Sequence, residues 1–266
     1  MLDLLVVGHV TLDEYSDGSY HLGGAASYAS LAAAHLGART ALLTRVPTAF
    51  PLLEPLLSQP RITVQRLDTE VPTTFLLDTS GPTRRLQLRQ RAANLTAADL
   101  PLAWRRIPLA YMAPVIGECD TALVASLTSS LVVVGAQGWL RRYDPQGFIQ
   151  PDVAPEFLDP PSPVRAMIFS ELDHPEAEAL ARHAAKQLAV VVLTRGAQGA
   201  TLFFADREHD VAAAPAFEVD ATGAGDVFGV VFTLGLQRGQ TAMQAAETAA
   251  LAAARVVEGP GLGNLG

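Results

Sequence analysis

Asp226 closes the stretch Asp220-Ala221-Thr222-Gly223-Ala224-Gly225-Asp226, a polar, glycine-rich turn that runs straight into the apolar run Val227-Phe228-Gly229-Val230-Val231-Phe232. The first N–H groups of a helix have no partner inside it, and together with the helix dipole they form an anion site. Gly223 and Gly225 let the backbone approach a ligand closely. Amides around Ala224, Gly225 and Asp226 are therefore placed to hold a transferring phosphoryl group. A carboxylate beside such a site repels phosphate unless it has a task, and taking a proton from an attacking hydroxyl is one. An acidic residue also stabilises a helix start by itself, and spacing alone leaves both readings open.

The elements that must position this turn alternate along the chain. Short β-branched runs are predicted as strands at Leu4–Val7, Thr40–Thr44, Leu109–Ala113, Leu131–Val134, Ala166–Phe169, Val190–Thr194 and Ala200–Phe204. Between them fall Ala/Leu-rich stretches predicted as helices at Ala26–Leu36, Glu176–Gln187, Val227–Gln237 and Ala242–Val257. That alternation implies an α/β domain with a mostly parallel sheet covered by helices. Thr241 and Gln244 stand at capping-box spacing before the last helix. Two segments break the pattern: the polar stretch 11–22, and 62–91, where Thr73–Asp78 and Arg84–Arg89 read as a hairpin around Thr79-Ser80-Gly81-Pro82. Strands without covering helices are expected to form a small β flap on one edge of a single domain spanning 1–266.

Composition narrows the class. Of 266 residues, 49% are apolar and 17% charged, which excludes a largely disordered chain. A net charge of −8 argues against nonspecific nucleic-acid or anionic-membrane binding, and neither partner is expected. Cys119 is the only cysteine, so no intrachain disulfide can form, which fits the expected cytoplasmic location. The start of the chain has no basic lead and reads as a first strand, not a signal peptide. After that strand comes Gly8-His9-Val10-Thr11, which lacks the glycine pattern of a dinucleotide-binding dehydrogenase. His174, His183, His209 and Cys119 have no ligand spacing, so no transition-metal site is assigned. His9, Trp104 and Trp139 are read as structural, and Arg89 and Arg91 as exposed strand charges.

Three stretches, in order, resemble the ribokinase-like (PfkB) carbohydrate kinases. They are Gly8, Asp13 and Gly23-Gly24-Ala25-Ala26 opening a helix; Leu193-Thr194-Arg195-Gly196-Ala197-Gln198-Gly199-Ala200; and the Asp220–Asp226 turn, with Ala221 as a substitution. The resemblance implies a three-layer α/β/α fold and ATP-dependent phosphorylation of a hydroxyl. Asp226 would be the base, and Gly223, Ala224 and Gly225 the anion hole. Thr194, Gly196, Gly199 and Ser170 would line the ATP site. Asp13, Gly23 and Gly24 would hold substrate hydroxyls under the flap. Mg²⁺ would travel with ATP, and Asp220 lies where some relatives bind a monovalent cation. A small polyol or sugar is the implied partner of a monomer or homodimer.

Departures from the pattern concern the substrate. Tyr28 stands where the family usually has Asn. The family's Asn-x-x-Glu, which organises magnesium and phosphates, becomes Ser170-Glu171-Leu172-Asp173; Asp173 reads equally as an indirect magnesium carboxylate and as a helix N-cap ahead of Pro175 and Glu176. Gly23-Gly-Ala-Ala-Ser-Tyr-Ala-Ser30, Ala113-Pro-Val-Ile-Gly-Glu118 and Gly135-Ala-Gln-Gly-Trp-Leu-Arg141 resemble the plant-type myo-inositol kinase branch. Ser27, Tyr28, Gln137 and Arg141 join Asp13 as substrate candidates, with Glu118 either at the site or paired with an arginine. The competing reading is a non-catalytic sugar- or nucleotide-binding module on the same fold.

Overall fold

The computed structural model describes residues 1–78, 85–127 and 131–259. In chain order its strands are β1 (Leu4–Val7), β2 (Thr11–Tyr15), β3 (Tyr20–Gly23), β4 (Thr40–Arg45), β5 (Ile62–Leu67), β6 (Thr73–Asp78), β7 (Arg85–Gln90), β8 (Leu109–Met112), β9 (Leu131–Gly135), β10 (Arg141–Tyr143), β11 (Ile149–Pro151), β12 (Val164–Ser170), β13 (Val190–Thr194), β14 (Ala200–Phe204) and β15 (Arg207–Val211). The helices are α1 (Ala25–His35), α2 (Glu54–Leu57), α3 (Thr121–Ala125), α4 (Pro155–Leu158), α5 (Ala177–Ala184), α6 (Ala224–Gln237) and α7 (Ala242–Val257).

Nine strands form one sheet in the order β15-β14-β13-β12-β9-β8-β1-β4-β5. From β13 to β5 every neighbour is parallel, and β14 and β15 continue antiparallel. All four residues of β1 are buried because helices cover both faces. Leu4, Val6 and Leu42 point into a core shared with α1, α6 and α7. Leu5, Val7 and Leu43 point into a second core with α3, α5, Phe157 and Trp139. The parallel sheet with covering helices is the one expected from the alternation, and the three layers are those that the family resemblance implied.

A four-stranded sheet, β3-β2-β6-β7, stands apart as the flap. Only part of 62–91 belongs to it. Ile62–Leu67 pairs in parallel with β4 as the edge of the large sheet, so the flap portion begins at Thr73. The expected turn at 79–82 lies outside the described residues. A hairpin that sequence did not reveal, β10 with β11, reaches the flap: the Leu88 N–H donates to the Gly147 carbonyl at 2.8 Å and Gln87 Nε2 to the Gln146 carbonyl at 2.7 Å.

Helix ends follow local chemistry where they can. The Thr241 hydroxyl accepts from the Gln244 N–H and the Gln244 side chain accepts from the Thr241 N–H, the expected capping box. α6 starts at Ala224, earlier than expected, because Gly223 takes the left-handed conformation at φ 81° and ends the turn there. The expected 176–187 helix is the shorter α5. Its cap is Glu176, not Asp173; His174 Nδ1 accepts the Glu176 N–H, leaving Asp173 for other partners.

Candidate active site

The carboxyl ends of β9, β12 and β13 and the N-terminus of α6 supply most of the site, as expected for an open parallel sheet. Ser170 and Thr194 are register partners at the ends of β12 and β13. The Thr194 hydroxyl donates to the Phe169 carbonyl at 3.3 Å. The loop after it bends through Gly196 (φ 53°) and Gly199 (φ 89°), and a side chain at Gly199 would strike the Val211 carbonyl.

At the start of α6, the Ala224 N–H is turned back onto the Ala221 carbonyl at 3.2 Å, and the Val227 N–H reaches the Gly223 carbonyl. Among the described backbone bonds, the amides of Gly225 and Asp226 have no carbonyl partner. Gly225 faces open space. Of the three candidate anion-hole amides, Ala224's is engaged within the turn, and those of Gly225 and Asp226 are the ones without a described carbonyl partner. Asp220 Oδ1 accepts the Thr222 N–H at 2.9 Å, which fixes the approach to Gly223.

Asp226 is half-buried. Burial pushes its carboxyl up to about 7, the Asp173 charge adds to the rise, and Arg141 opposes it. Its remaining solvent contact tempers the shift. An acid that titrates near neutrality suits a proton acceptor.

Asp173 ties two distant segments to this carboxylate. Its Oδ2 accepts the Ser170 N–H at 2.8 Å, and its Oδ1 accepts from Gln137 Nε2 at 3.2 Å and lies 3.8 Å from Arg141 Nη2. The expected N-cap is thus corrected: the carboxylate folds back onto β12 and across to the residues after β9, where a cation and an amide outcompete a helix start. The Ser170 hydroxyl accepts the Leu172 N–H at 3.1 Å and so braces the same turn. Gln137 and Arg141, chosen from sequence as substrate contacts, belong to one network with Asp173, and Arg141 also acts on Asp226.

Tyr28 bridges the other side. A β-carbon at Gly223 would collide with the Tyr28 ring, so the ring lies flush on the turn. Burial, then the charges of Asp13 and Asp226, raise its hydroxyl pKa far above the ordinary phenol value. Asp13, on β2, packs its carboxylate against Gly23, where any side chain would clash, and accepts the Thr11 hydroxyl at 2.8 Å. Gly24 (φ 90°) caps α1. Ser27 is buried and its hydroxyl donates to the Gly23 carbonyl at 2.6 Å, bracing that turn.

Other candidates have structural partners. Glu118 is fully buried; its carboxylate accepts the N–H groups of His9, Val115 and Ile116, in place of an arginine. Arg91 donates to Asn94 Oδ1 and to the Ile116 and Gly117 carbonyls. Trp139 is a core residue. Tyr111 was not singled out from sequence. Its hydroxyl occupies the space a side chain at Gly229 or Gly135 would need, and Asp226 adds to the rise that burial imposes on its pKa. The glycine inside an apolar helix, Gly229, was the available signal. Among the described residues no three His, Cys, Asp or Glu side chains gather as a metal-ligand set.

Residues 165–265 match the pfkB family carbohydrate kinase model. The matched segment holds Thr194, the Gly196–Gly199 loop and the turn that ends at Asp226. It is 29% identical over 238 residues to inositol 3-kinase of Oryza sativa subsp. japonica, covering 85% of this chain and 59% of the rice protein. It is 30% identical over 168 residues to inositol 3-kinase of Zea mays, covering 62% of this chain and 44% of the maize protein. This chain thus spans less than two thirds of either plant relative. A pyrophosphate-dependent kinase in the ribokinase family, complexed with a pyrophosphate analog and myo-inositol, superposes with a TM-score of 0.83 at 18% identity over 97% of this chain and 96% of that one. Arabidopsis thaliana ribokinase, complexed with ribose and ATP, gives 0.76 at 18% identity over 98% and 94%. The ribokinase fold expected from the PfkB signatures is the fold observed. No helix among the described residues is long and apolar enough to cross a membrane.

Proposed function

We propose that this chain is an ATP-dependent kinase that phosphorylates a hydroxyl of a polyol or cyclitol, with a myo-inositol-like acceptor. The observation that carries this reading is the single electrostatic neighbourhood formed by Asp226, Asp173 and Arg141 at the start of α6, with Tyr28 linking it to Asp13. ATP, accompanied by Mg²⁺, supplies the transferable phosphoryl group. Asp226 accepts the proton of the attacking hydroxyl as the oxygen–phosphorus bond forms. The Gly225 and Asp226 amides stabilise the charge that spreads over the transferring group. Asp13, Gln137 and Arg141 orient acceptor hydroxyls, and the Tyr28 ring limits the depth of that pocket. Thr194, Gly196 and Gly199 shape the donor side. Asp173 already holds an amide N–H, Gln137 and Arg141, so its fit to Mg²⁺ is an indirect one through water. Asp220, whose carboxylate accepts the Thr222 N–H, is the candidate to lie beside a monovalent cation.

The test is product release measured across polyols, sugars and nucleosides, with ATP and with pyrophosphate as donors, with and without potassium. Turnover of myo-inositol with ATP is the expected result. Turnover with pyrophosphate alone would replace the donor. Saturable ligand binding without turnover on any acceptor would establish a non-catalytic binding module instead.

A further inference from the structure

The chain passes between the large sheet and the flap at four places: from β1 to β2, from β3 to α1, from β5 to β6, and out of β7. All four meet at His9, which is fully buried. His9 itself lies on the first passage. Its carbonyl fills the space a side chain at Gly24 would need, on the second. Its Nδ1 lies 2.8 Å from the Thr73 hydroxyl, at the head of β6, on the third. Its Nε2 lies 3.0 Å from the Ala93 carbonyl, just after β7, on the fourth.

The bonding pattern fixes the proton positions. A carbonyl only accepts, so Nε2 carries the hydrogen and donates to Ala93. Nδ1 then accepts from the Thr73 hydroxyl, whose oxygen accepts the Ala92 N–H at 3.1 Å. One neutral ring therefore ties both legs of the β6–β7 hairpin. Burial, with Arg91 nearby, keeps the ring neutral, and the Glu118 charge only partly opposes this. Glu118 in turn accepts the His9 N–H and holds the loop after β8.

We propose that His9 is a positioning residue that pins the flap to the end of β1 and so sets where the flap's Asp13 stands relative to the turn at Asp226. Asp13 is four residues beyond His9, on the strand that pairs in register with β6 from Thr11 and Thr73 onward. A loosened pin lets β2 and β6 shift together while the large sheet stays in place. The consequence for turnover rests on the kinase reading above; the consequence for the flap does not.

Hydrogen exchange by mass spectrometry on His9→Phe, His9→Gln and Thr73→Val separates the two. His9→Phe keeps a planar, somewhat larger ring and removes both bonds, so peptides covering β2, β3, β6 and β7 should exchange roughly tenfold faster, while those covering β1, β8 and β9 are unchanged. His9→Gln, which offers one donor and one acceptor, should recover most of the protection. Thr73→Val should loosen the flap by a similar factor and decides the matter should His9→Phe fail to fold. With myo-inositol as the acceptor probe, KM for the acceptor should rise about tenfold in His9→Phe, with kcat and donor KM within about twofold. Unchanged flap exchange in both His9→Phe and Thr73→Val, or acceleration spread evenly through the large sheet, overturns the proposal. Absence of turnover in the unaltered protein counts against the acceptor assignment, and the exchange result still decides the role of His9.

Discussion

Asp226 must be ionised to accept a proton, yet its surroundings favour the protonated form, moving it from 3.8 to about 7. On the kinase reading, kcat/KM should rise with pH along a limb centred near that value. Asp226→Asn should abolish the limb and lower kcat roughly 10²–10⁴-fold, checked by pH–rate profiles of both proteins. Stability runs in the opposite direction. Between the unfolded and folded pKa values the folded state holds the extra proton, so this residue's contribution falls as pH rises through that window. Asp226→Asn escapes the loss, so its melting temperature should exceed the native protein's at about pH 8 and show no such gain at about pH 3. Calorimetry at both values checks this. The contact of Gly223 with Tyr28 makes a second residue-scale prediction. Gly223→Ala meets both a left-handed backbone, costing about 1–2 kcal/mol, and the Tyr28 ring. Tyr28→Ala opens the space but leaves the backbone cost, so the double variant should lose less stability than the two single changes summed. Strictly additive unfolding free energies across the four proteins would show that the ring and the turn do not press on each other.

At the scale of elements, α7 is the helix whose start was most legible. Thr241 and Gln244 satisfy each other's backbone neighbours with no help from the rest of the fold. Thr241→Ala should cost about 1 kcal/mol in urea unfolding. Turnover should be unaffected, because Thr241 lies roughly 24 Å along the helix from Val257, whose carbonyl receives the Asp220 N–H. α5 shows the contrary case. Asp173, Pro175 and Glu176 have the composition of a helix start, but Asp173 is drawn instead to Ser170, Gln137 and Arg141. The hairpin β10–β11 was missed for a related reason. Its strands are three residues each, too short to show a period, and they are supported by contacts with β7.

At the scale of the molecule, two cores flank one sheet, and adjacent residues of a strand serve different ones. Leu42→Ala and Leu43→Ala should each cost about 2–5 kcal/mol, and because their side chains enter separate clusters the costs should add closely in a double variant. A large shortfall from additivity in denaturant unfolding would mean that the two faces relax together. The flap enters only the first core, through Phe75, Leu77 and Leu88, and has no second core on its other face, which is why its boundaries were less legible. Ile62–Leu67 was expected within the flap segment without being read as a strand, and its pairing with β4 puts it in the large sheet.

The sequence by itself determined the parallel α/β sheet with its helices, through burial periodicity, and the Gly223–Asp226 turn, through glycine and a carboxylate placed at a helix start. These are local properties, set by neighbours a few residues away. Only the tertiary structure decided that Tyr28 seals the turn, that Asp173 serves Gln137 and Arg141 in preference to capping a helix, and that His9 gathers the four passages to the flap. In each case the partners come from segments far apart in the chain. A side chain's pattern of donors and acceptors is written in the sequence, but which of its possible partners it meets is settled by which strands lie side by side.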